Sequence, residues 1–367
     1  MKFSFTEDQR LLARAVREAL AKSCPPETVR AAKTDPAVRR GDAWRALAEL
    51  GLLGAHVPEE HGGLGLTPLD TVLAYEEIGR AAVPGPIVET AVAAPLLAGP
   101  EWLERIATGA AAVSVSTDHS PYLLDADLAD LLVVQRGDGV IRAAPGTVRL
   151  TGQPSADPTR RLFSVDGSFG SNAGSDARHA GPERADPEQA DPARAIDHAA
   201  LATAAQLLGL GRHLLDAAVA YAGQRRQFGR QIGSFQAVKH QLADVAIALG
   251  FAAPAVHRAA YTLTQAATTS HSASAPSLPP GSTAHSAAVA TASRDASAAK
   301  VAAAGAARRA VRTALQVHGG IGYTDELDLH LWFARVWSLR TTWGDDRWHR
   351  ARLSAALLGE PAVPRVP

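Results

Sequence analysis

The sequence predicts a mainly α-helical protein with a small β domain in its middle, and three observations support that fold class. Apolar residues recur at helical spacing in segments near both ends of the chain. Short β-branched runs separated by Gly, Asp and Pro fill the region from about 110 to 166. The 367 residues give room for two or three domains with buried cores.

Residues 1–109 are expected to form an N-terminal helical domain. Thr6 and Gln9 make a capping box, so the first helix begins there, and Pro25 and Pro26 end it. The other helices predicted in this domain cover 42–50, 67–82, 88–97 and 101–107.

Residues 110–166 are expected to form a reduced β domain. Its predicted strands cover 112–116, 130–135, 139–142 and 146–150. The following segment, 167–195, is rich in Gly, Asp, Ala and Pro and has no periodicity, which is typical of a flexible linker.

Residues 196–367 are expected to form a C-terminal helical bundle. A Ser-, Thr-, Pro- and Gly-rich insertion at about 266–285 interrupts the helical pattern and is expected to be disordered. An antiparallel four-helix bundle with one disordered loop fits this pattern best. The predicted helices cover 196–222, 234–265, 288–317, 325–339 and 343–358.

Bulk composition excludes several classes of function. The 37 basic and 37 acidic side chains cancel, so nothing steers the chain broadly toward nucleic acid or an anionic membrane. No signal-peptide core or long apolar span is evident, which favours a soluble cytoplasmic protein. Cys24 is the single cysteine, so an internal disulfide or a thiolate metal cluster is excluded, and no His/Asp/Glu metal-ligand pattern replaces it.

Two motifs in the C-terminal half predict a site for a dinucleotide phosphate. The first is the Arg-Arg-Gln-Phe-Gly-Arg-Gln-Ile run that begins at Arg225 and continues to Gln236. The second runs from Gln316 through Gly319, Gly320 and a further glycine. Arginine offers a planar fork of donors for a pyrophosphate, and glycines let backbone N–H groups approach an anion.

These motifs resemble the C-terminal domain of the acyl-CoA dehydrogenase flavoprotein family, which uses Arg-x-x-Phe-Gly and Gln-x-x-Gly-Gly-x-Gly to hold FAD. A third match, the glycine-rich run at 50–65, looks like the family's N-terminal domain. The resemblance implies a β-barrel-like middle domain, but the family's Thr-Glu pair and Trp-Ile-Thr-Asn-like run for the flavin ring are absent. The implied FAD contacts are Arg225, Gln227, Phe228, Gln236, Gln316, Gly319, Gly320 and Gly344.

The resemblance also shows which residue is missing. Family members oxidise an acyl-CoA thioester between Cα and Cβ, with a Glu removing the α proton and FAD accepting the β hydride. Here Trp343 occupies the usual position of that Glu, and Ala199 occupies the position used by a minority of the family. Asp345 is a weak candidate for a replacement base, because an acid in a first helical turn ordinarily caps the helix.

Three functions therefore remain open. The family includes heteromeric bacterial enzymes of steroid side-chain breakdown, in which one subunit brings the base and its partner lacks one. The chain is accordingly interpreted first as such an FAD-binding subunit, in a homo- or hetero-oligomer, with an electron-transfer flavoprotein as acceptor. The second interpretation is a self-sufficient homo-oligomeric flavoenzyme with a non-standard base. The third is a non-catalytic structural subunit.

Overall fold

A computed structural model describes residues 4–137, 139–166, 182–186, 190–271 and 283–359. The predicted fold class is confirmed: helices dominate, and two small sheets lie between an N-terminal and a C-terminal set of helices. In chain order the α-helices of these residues are α1 (Glu7–Ser23), α2 (Pro26–Ala31), α3 (Asp42–Glu49), α4 (Pro68–Arg80), α5 (Pro100–Ala107), α6 (Pro192–Gln224), α7 (Gln236–His271), α8 (Thr283–His318), α9 (Leu329–Thr341) and α10 (Asp346–Leu358).

Capping chemistry explains where the N-terminal helices begin. The Thr6 hydroxyl accepts from Gln9 N, and the Gln9 side chain accepts from Thr6 N, so the predicted capping box of α1 is confirmed. Helix α2 was not predicted. Pro26 occupies its first turn, where a missing N–H costs nothing, so this proline starts a helix as well as ending one. The run predicted as a helix at 88–97 forms a π-helical turn, Glu89–Ala93, followed by a 3-10 turn.

The β region contains two small sheets. One has the strand order β1 (Val113–Ser116), β3 (Leu131–Arg136), β4 (Gly139–Ala143) and β7 (Glu183–Arg184), with β1 and β3 parallel. The other has the order β2 (Leu123–Leu124), β6 (Leu162–Asp166) and β5 (Arg149–Gln153). Strands β2, β6 and β7 were not predicted, because two-residue strands and a strand after a polar loop give no alternation to read.

The C-terminal bundle consists of α6, α7 and α8, with α9 and α10 packed against it. Helix α6 begins at Pro192, inside the segment expected to be a linker, because the Asp191 carboxylate accepts from Arg194 N and caps it. Most of that expected linker lies outside the described residues. Helices α7 and α8 extend into the expected insertion at 266–285, of which 272–282 lie outside the described residues.

Two glycines allow an N-terminal helix, α4, to pack closely against helix α6 of the bundle. A Cβ on Gly209 of α6 would lie 1.8 Å from the backbone oxygen of Glu76, and one on Gly79 of α4 would lie 2.1 Å from that of Gln206. Helices α4 and α6 therefore approach closely enough to exclude any side chain at these two positions. This contact fixes the N-terminal helices on the same core as the bundle.

Candidate functional site

The two phosphate-type motifs lie at one end of the bundle, and we call residues 225–236 and 316–323 the motif rim. A two-residue hairpin of β8 (Arg226–Gln227) and β9 (Arg230–Gln231) follows the end of α6. A 3-10 turn, Gly319–Tyr323, follows the end of α8. The Tyr221 ring stacks on the His318 ring with centroids 4.2 Å apart, so the segments leading into both motifs lie side by side.

Most residues of the hairpin at 225–231 are exposed, whereas Val317 and His318 of the second motif are buried. Phe228 is 90% exposed and has a left-handed backbone, with φ of 52°. Its ring makes an edge contact with the Phe235 ring, with 6.2 Å between the centroids, and is otherwise open to solvent. The other exposed members of the predicted cofactor set are Arg225, Gln227, Gln236, Gln316, Gly319 and Gly320.

Gly320 shows most clearly that the rim is open, because nothing inside this chain requires glycine there. A Cβ there would meet no atom within 4 Å, and its backbone does not need a left-handed conformation. Neither packing nor φ therefore demands glycine inside this chain. Its neighbour Gly319 has a φ of 62° and is equally open. The space beside both glycines is therefore open, and their predicted contact with an anion stays a prediction.

A second region, with both buried and exposed walls, lies where the β strands meet the end of α9. We call it the junction cleft. Its volume is about 140 Å³, and its walls are Glu89, Ser120, Pro121, Tyr122, Leu124, Arg160, Leu162, Ser338, Thr341 and Thr342. The predicted base position, residue 343, follows directly on the last of these wall residues.

Trp343 fills the base position with a buried indole. It is 1% exposed, and its backbone has a φ of 59°, which is unusual for a bulky side chain. The following Gly344 has a φ of 95°, and a Cβ there would lie 2.4 Å from the Trp348 ring. The predicted last helix therefore does not begin at 343. It begins at Asp346, and the residues before it form a tight turn.

The backbone of this turn is held from α8 by a buried lysine. Lys300 is 1% exposed, and its ammonium donates to the carbonyl oxygens of Arg340, Thr342 and Gly344 at 3.3, 2.7 and 3.0 Å. Burial lowers the pKa of Lys300 to about 7, although the Asp346 and Asp345 carboxylates oppose that shift. The lysine acts as a cap for the end of α9.

A neutral histidine completes this support. Burial lowers the pKa of His349 to about 2. Because a carbonyl oxygen only accepts, the His349 Nε2–H donates to the Trp343 oxygen at 3.0 Å, and Nδ1 accepts from the Ser297 hydroxyl at 3.1 Å. The turn around Trp343 is thus fixed from two directions, which accounts for its strained backbone.

Asp345 caps helix α10. Its carboxylate accepts from Trp348 N at 2.8 Å, and the side chain is at the N-cap. Ala199, the other predicted base position, is a fully buried core residue of α6. Neither position thus places a carboxylate beside residue 343.

Sequence reasoning missed the acid that does lie beside Trp343. Glu89 is 3% exposed, and burial raises its pKa, while the Arg160 guanidinium and the Trp343 indole oppose that rise. The Arg160 Nη2 lies 4.0 Å from the Glu89 carboxylate. No motif marks either residue, and they are far apart in the sequence, so only the fold brings them together.

Two further buried ion pairs surround this one. Arg39 lies 3.3 Å from Asp125, and Arg335 donates to Asp157 at 2.6 Å. Burial raises the pKa of Asp125 to about 6. Burial also pushes the pKa of Asp157 upward, but Arg335 and Thr159 together hold it below its usual value. Three arginines and three carboxylates thus balance one another behind the junction cleft.

The described residues hold no group of three or more His, Cys, Asp or Glu side chains arranged for a metal ion. Cys24 is buried, and burial raises its pKa to about 12, which leaves the thiol unreactive.

Among the described helices, 236–268 is long and apolar enough to cross a membrane, but one such helix is weak evidence. Only 28% of its most apolar window is buried, so it carries an exposed apolar face.

Helical parts on both sides of two small sheets define a class of mainly α-helical proteins with a β middle domain. Residues 6–110 match the N-terminal domain of acyl-CoA dehydrogenases, and residues 192–358 match their C-terminal domain. The chain belongs to the acyl-CoA dehydrogenase family, an oxidoreductase family.

Individual relatives agree with this assignment. The acyl-CoA dehydrogenase IpdE2 of Mycolicibacterium smegmatis is 32% identical over 95% of this chain and 99% of its own length. The ChsE4-ChsE5 complex of Mycobacterium tuberculosis contains a similar chain, with a TM-score of 0.72, 23% identity, and coverage of 99% and 100% of the two chains. A glutaryl-CoA dehydrogenase of Mycobacterium smegmatis in complex with FADH2 gives a TM-score of 0.71, 17% identity, and coverage of 98% and 97%.

Proposed function

We propose that this chain is an FAD-binding subunit of a cytoplasmic acyl-CoA dehydrogenase that oxidises an acyl-CoA thioester between Cα and Cβ, with a partner subunit supplying the base. One observation carries the proposal: the motif rim is open and unexplained by the packing of this chain, whereas the base position holds a buried indole. These two features support a chain that keeps a cofactor-binding surface and lacks a proton-abstracting group of its own.

The chain's own residues fit a flavin dinucleotide at the rim. The Arg225 guanidinium and the backbone N–H groups at Gly319 and Gly320 supply donors for a pyrophosphate. Exposed Phe228 supplies an apolar face, and Gln236 and Gln316 supply directional polar ends. Bound FAD accepts the hydride that leaves the β carbon of the thioester. Gly344 belongs to the turn at residue 343, away from the rim motifs in the sequence, and its contact with FAD stays a prediction.

A partner would cover surfaces that this chain leaves exposed. Besides Phe228, helix α7 exposes Ile247 at 55% and Phe251 at 81%. Large exposed apolar side chains in a row on one helix mark an interface. The structurally similar ChsE4-ChsE5 complex, and a second one described as the steroid enzyme Tcur3481-Tcur3483, support a mixed assembly. We propose an acyl-CoA of fatty acid or steroid side-chain metabolism as substrate and an electron-transfer flavoprotein as acceptor.

We also propose a domain division for this chain, with an N-terminal helical domain at 1–109, a reduced β domain at 110–166, a linker at 167–195 and the bundle at 196–367. The early start of α6 at Pro192 supports moving the last boundary a few residues toward the N-terminus.

The decisive experiment measures flavin per chain after co-expression with candidate partner subunits. We expect flavin to be retained by the mixed assembly, and Arg225→Gln or Gly320→Val to lower its content at least fivefold. Arg312→Gln and Gly305→Val are matched controls on exposed parts of α8, where a Cβ on Gly305 meets nothing within 4 Å. Full flavin content in both rim variants would contradict the proposed cofactor site.

The partner's role is tested separately by reducing the bound flavin with a panel of acyl-CoAs. We expect reduction only in the mixed assembly, and Asp345→Asn to leave it intact because that carboxylate caps α10. Rapid reduction by the homo-oligomer of this chain would reject a requirement for a partner. A colourless assembly of normal stability would instead favour a non-catalytic structural subunit.

One observation favours the self-sufficient alternative. The Glu89 carboxylate is buried beside Trp343, and burial raises its pKa, as it does for many catalytic carboxylates. If this alternative holds, Glu89→Gln abolishes flavin reduction by the homo-oligomer while flavin content is unchanged. Under the mixed assembly, the same substitution leaves the reduction rate within about twofold of the parent.

A further inference from the structure

A groove between α1, α4 and α6 carries four arginines, and we call it the arginine groove. None of its walls belongs to the motif rim or to the junction cleft. Its volume is about 250 Å³, and its walls are Arg10, Ala13, Arg14, Arg17, Leu73, Glu76, Glu77 and Arg212. Because the basic and acidic side chains of the whole chain cancel, such a local excess of arginine does not follow from composition.

The two acids of the groove already have partners for all their oxygens. Glu77 is 7% exposed, and its two oxygens accept from Arg17 Nε at 2.8 Å and from Arg17 Nη2 at 2.6 Å. Glu76 is 2% exposed, and one of its oxygens accepts from Arg212 while the other lies 2.9 Å from His257 Nε2. Each acid thus holds one arginine of the groove in place.

The other two arginines of the groove lack a buried partner. Among the described residues, the ion pairs of α1 are Arg17 with Glu77 and Arg10 with Glu7, so Arg14 has none. The Arg10 pair joins two exposed side chains across 3.9 Å, and such pairs contribute little. Arg10 and Arg14 are four residues apart, so both lie on the same face of α1. The groove therefore has four guanidinium groups against two carboxylates.

This arrangement selects one kind of ligand. An excess of two positive charges favours a dianion over a single carboxylate, and guanidinium forks match the oxygens of a phosphoryl group. Leu73 and Ala13 offer apolar contact for an organic part. Walls from three helices and a volume of about 250 Å³ suit a compact molecule better than an extended acidic segment.

We propose that the arginine groove binds a small organic phosphate, either a phosphate monoester or a diphosphate. Arg10 and Arg14 donate to its phosphoryl oxygens, beside the guanidinium groups that the two acids fix. Binding forms and breaks no covalent bond. The proposal does not rest on the proposed function, because the groove shares no residue with the motif rim.

The test uses the full-length protein in the assembly in which it purifies, with inorganic pyrophosphate as the probe in a calorimetric titration. We expect saturable binding that weakens as salt is added, because partly exposed charges are screened. Acetate should bind at least tenfold more weakly. The rim is also proposed to take a pyrophosphate, so the titration is repeated with Arg225→Gln, in which the groove should still bind the probe.

Variants locate the binding. Arg14→Gln removes one charged donor and should weaken pyrophosphate binding about tenfold. Lys22→Gln is the matched control, since it removes one exposed charge from the same helix outside the groove, and it should bind within twofold of the parent. Ala13→Leu fills the groove without changing its charge and should weaken binding at least threefold. Arg14 is exposed and has no partner to lose, so its variant should fold normally.

Several outcomes would overturn the proposal. Equal losses in Arg14→Gln and Lys22→Gln would show that only overall charge attracts the probe. Undiminished binding to Ala13→Leu would place the probe outside the groove. Absence of saturable binding in Arg225→Gln would show that the rim alone takes the pyrophosphate. Tighter binding of an oligoglutamate peptide than of pyrophosphate would assign the groove to an acidic segment of a partner protein.

Discussion

The motif rim and the junction cleft differ in how far their residues are buried and held by contacts with the rest of the chain. At the rim, Phe228 is 90% exposed, and a Cβ on Gly319 or Gly320 would meet no atom within 4 Å. At the cleft, Trp343, Lys300 and the ion pairs are buried and held by one another. The contrast shows that one region of this fold is open to solvent while another is filled by side chains that are held from several elements, and the proposed function assigns cofactor binding to the first.

The largest effect is expected from breaking the ion pairs behind the cleft. Arg335 donates to Asp157, to Thr159 and to the Val83 carbonyl oxygen while 3% exposed. Arg335→Met leaves buried Asp157 unpaired and should lower the free energy of unfolding by about 3–5 kcal/mol. Urea unfolding measures this loss.

The control for this substitution is Arg347→Met, since Arg347 is exposed. Its effect should stay within about 0.5 kcal/mol, as for most surface substitutions. If both variants unfold at the same urea concentration, the ion pairs do not stabilise the junction.

A smaller loss is expected where α4 crosses α6. Gly209→Ala forces a methyl group against the Glu76 backbone oxygen and should cost about 1–3 kcal/mol. Gly250→Ala is the matched control, because Gly250 lies inside α7 with nothing within 4 Å of a Cβ. It should stabilise by up to about 1 kcal/mol. Thermal unfolding of both variants gives the comparison, and equal shifts would show that the two helices separate easily.

The pH dependence of stability tests the lysine that supports the Trp343 turn. The pKa of Lys300 is lowered to about 7 in the folded protein from 10.5 in the unfolded chain. Between these values the unfolded state binds more protons, so this group makes stability rise with pH, by at most about 1.4 kcal/mol per unit. Below pH 7 both states are protonated, and its contribution no longer changes.

Lys300→Met should remove this pH dependence of the free energy of unfolding. Chemical denaturation of parent and variant at pH 6 to 10 measures the change. The difference between parent and variant should grow across the window from 7 to 10.5. Parallel curves for the two proteins would place the pKa of Lys300 near its ordinary value and would show that the buried environment does not act on it.

The smallest effect on stability is expected at the rim. Gly320→Val adds atoms to open space, so its unfolding midpoint should match that of the parent within error, even though flavin content falls. A large loss of stability there would remove the contrast between the two regions, since it would show that this glycine serves the packing of the chain.

The sequence marks the rim more clearly than the cleft for a physical reason. Arg225 and Gly320 belong to contiguous motifs, whose residues are read together, and capping residues such as Thr6 fix helix starts locally. Glu89 and Arg160 occur in segments without a pattern, and their proximity depends on how strands and helices pack. Likewise, the left-handed Trp343 gave no local signal, because Lys300 and His349 impose its conformation from other helices.

The indole at residue 343 also limits how this protein could change. A glutamate placed there would enter a dry space already containing the Glu89 carboxylate, and the nearest guanidinium, on Arg160, would have to serve both. Two acids so close resist simultaneous ionisation, so the pKa of one of them would be raised. Under the proposed mixed assembly, restoring a base at residue 343 would therefore require a change at Glu89 or Arg160 as well as at residue 343 itself.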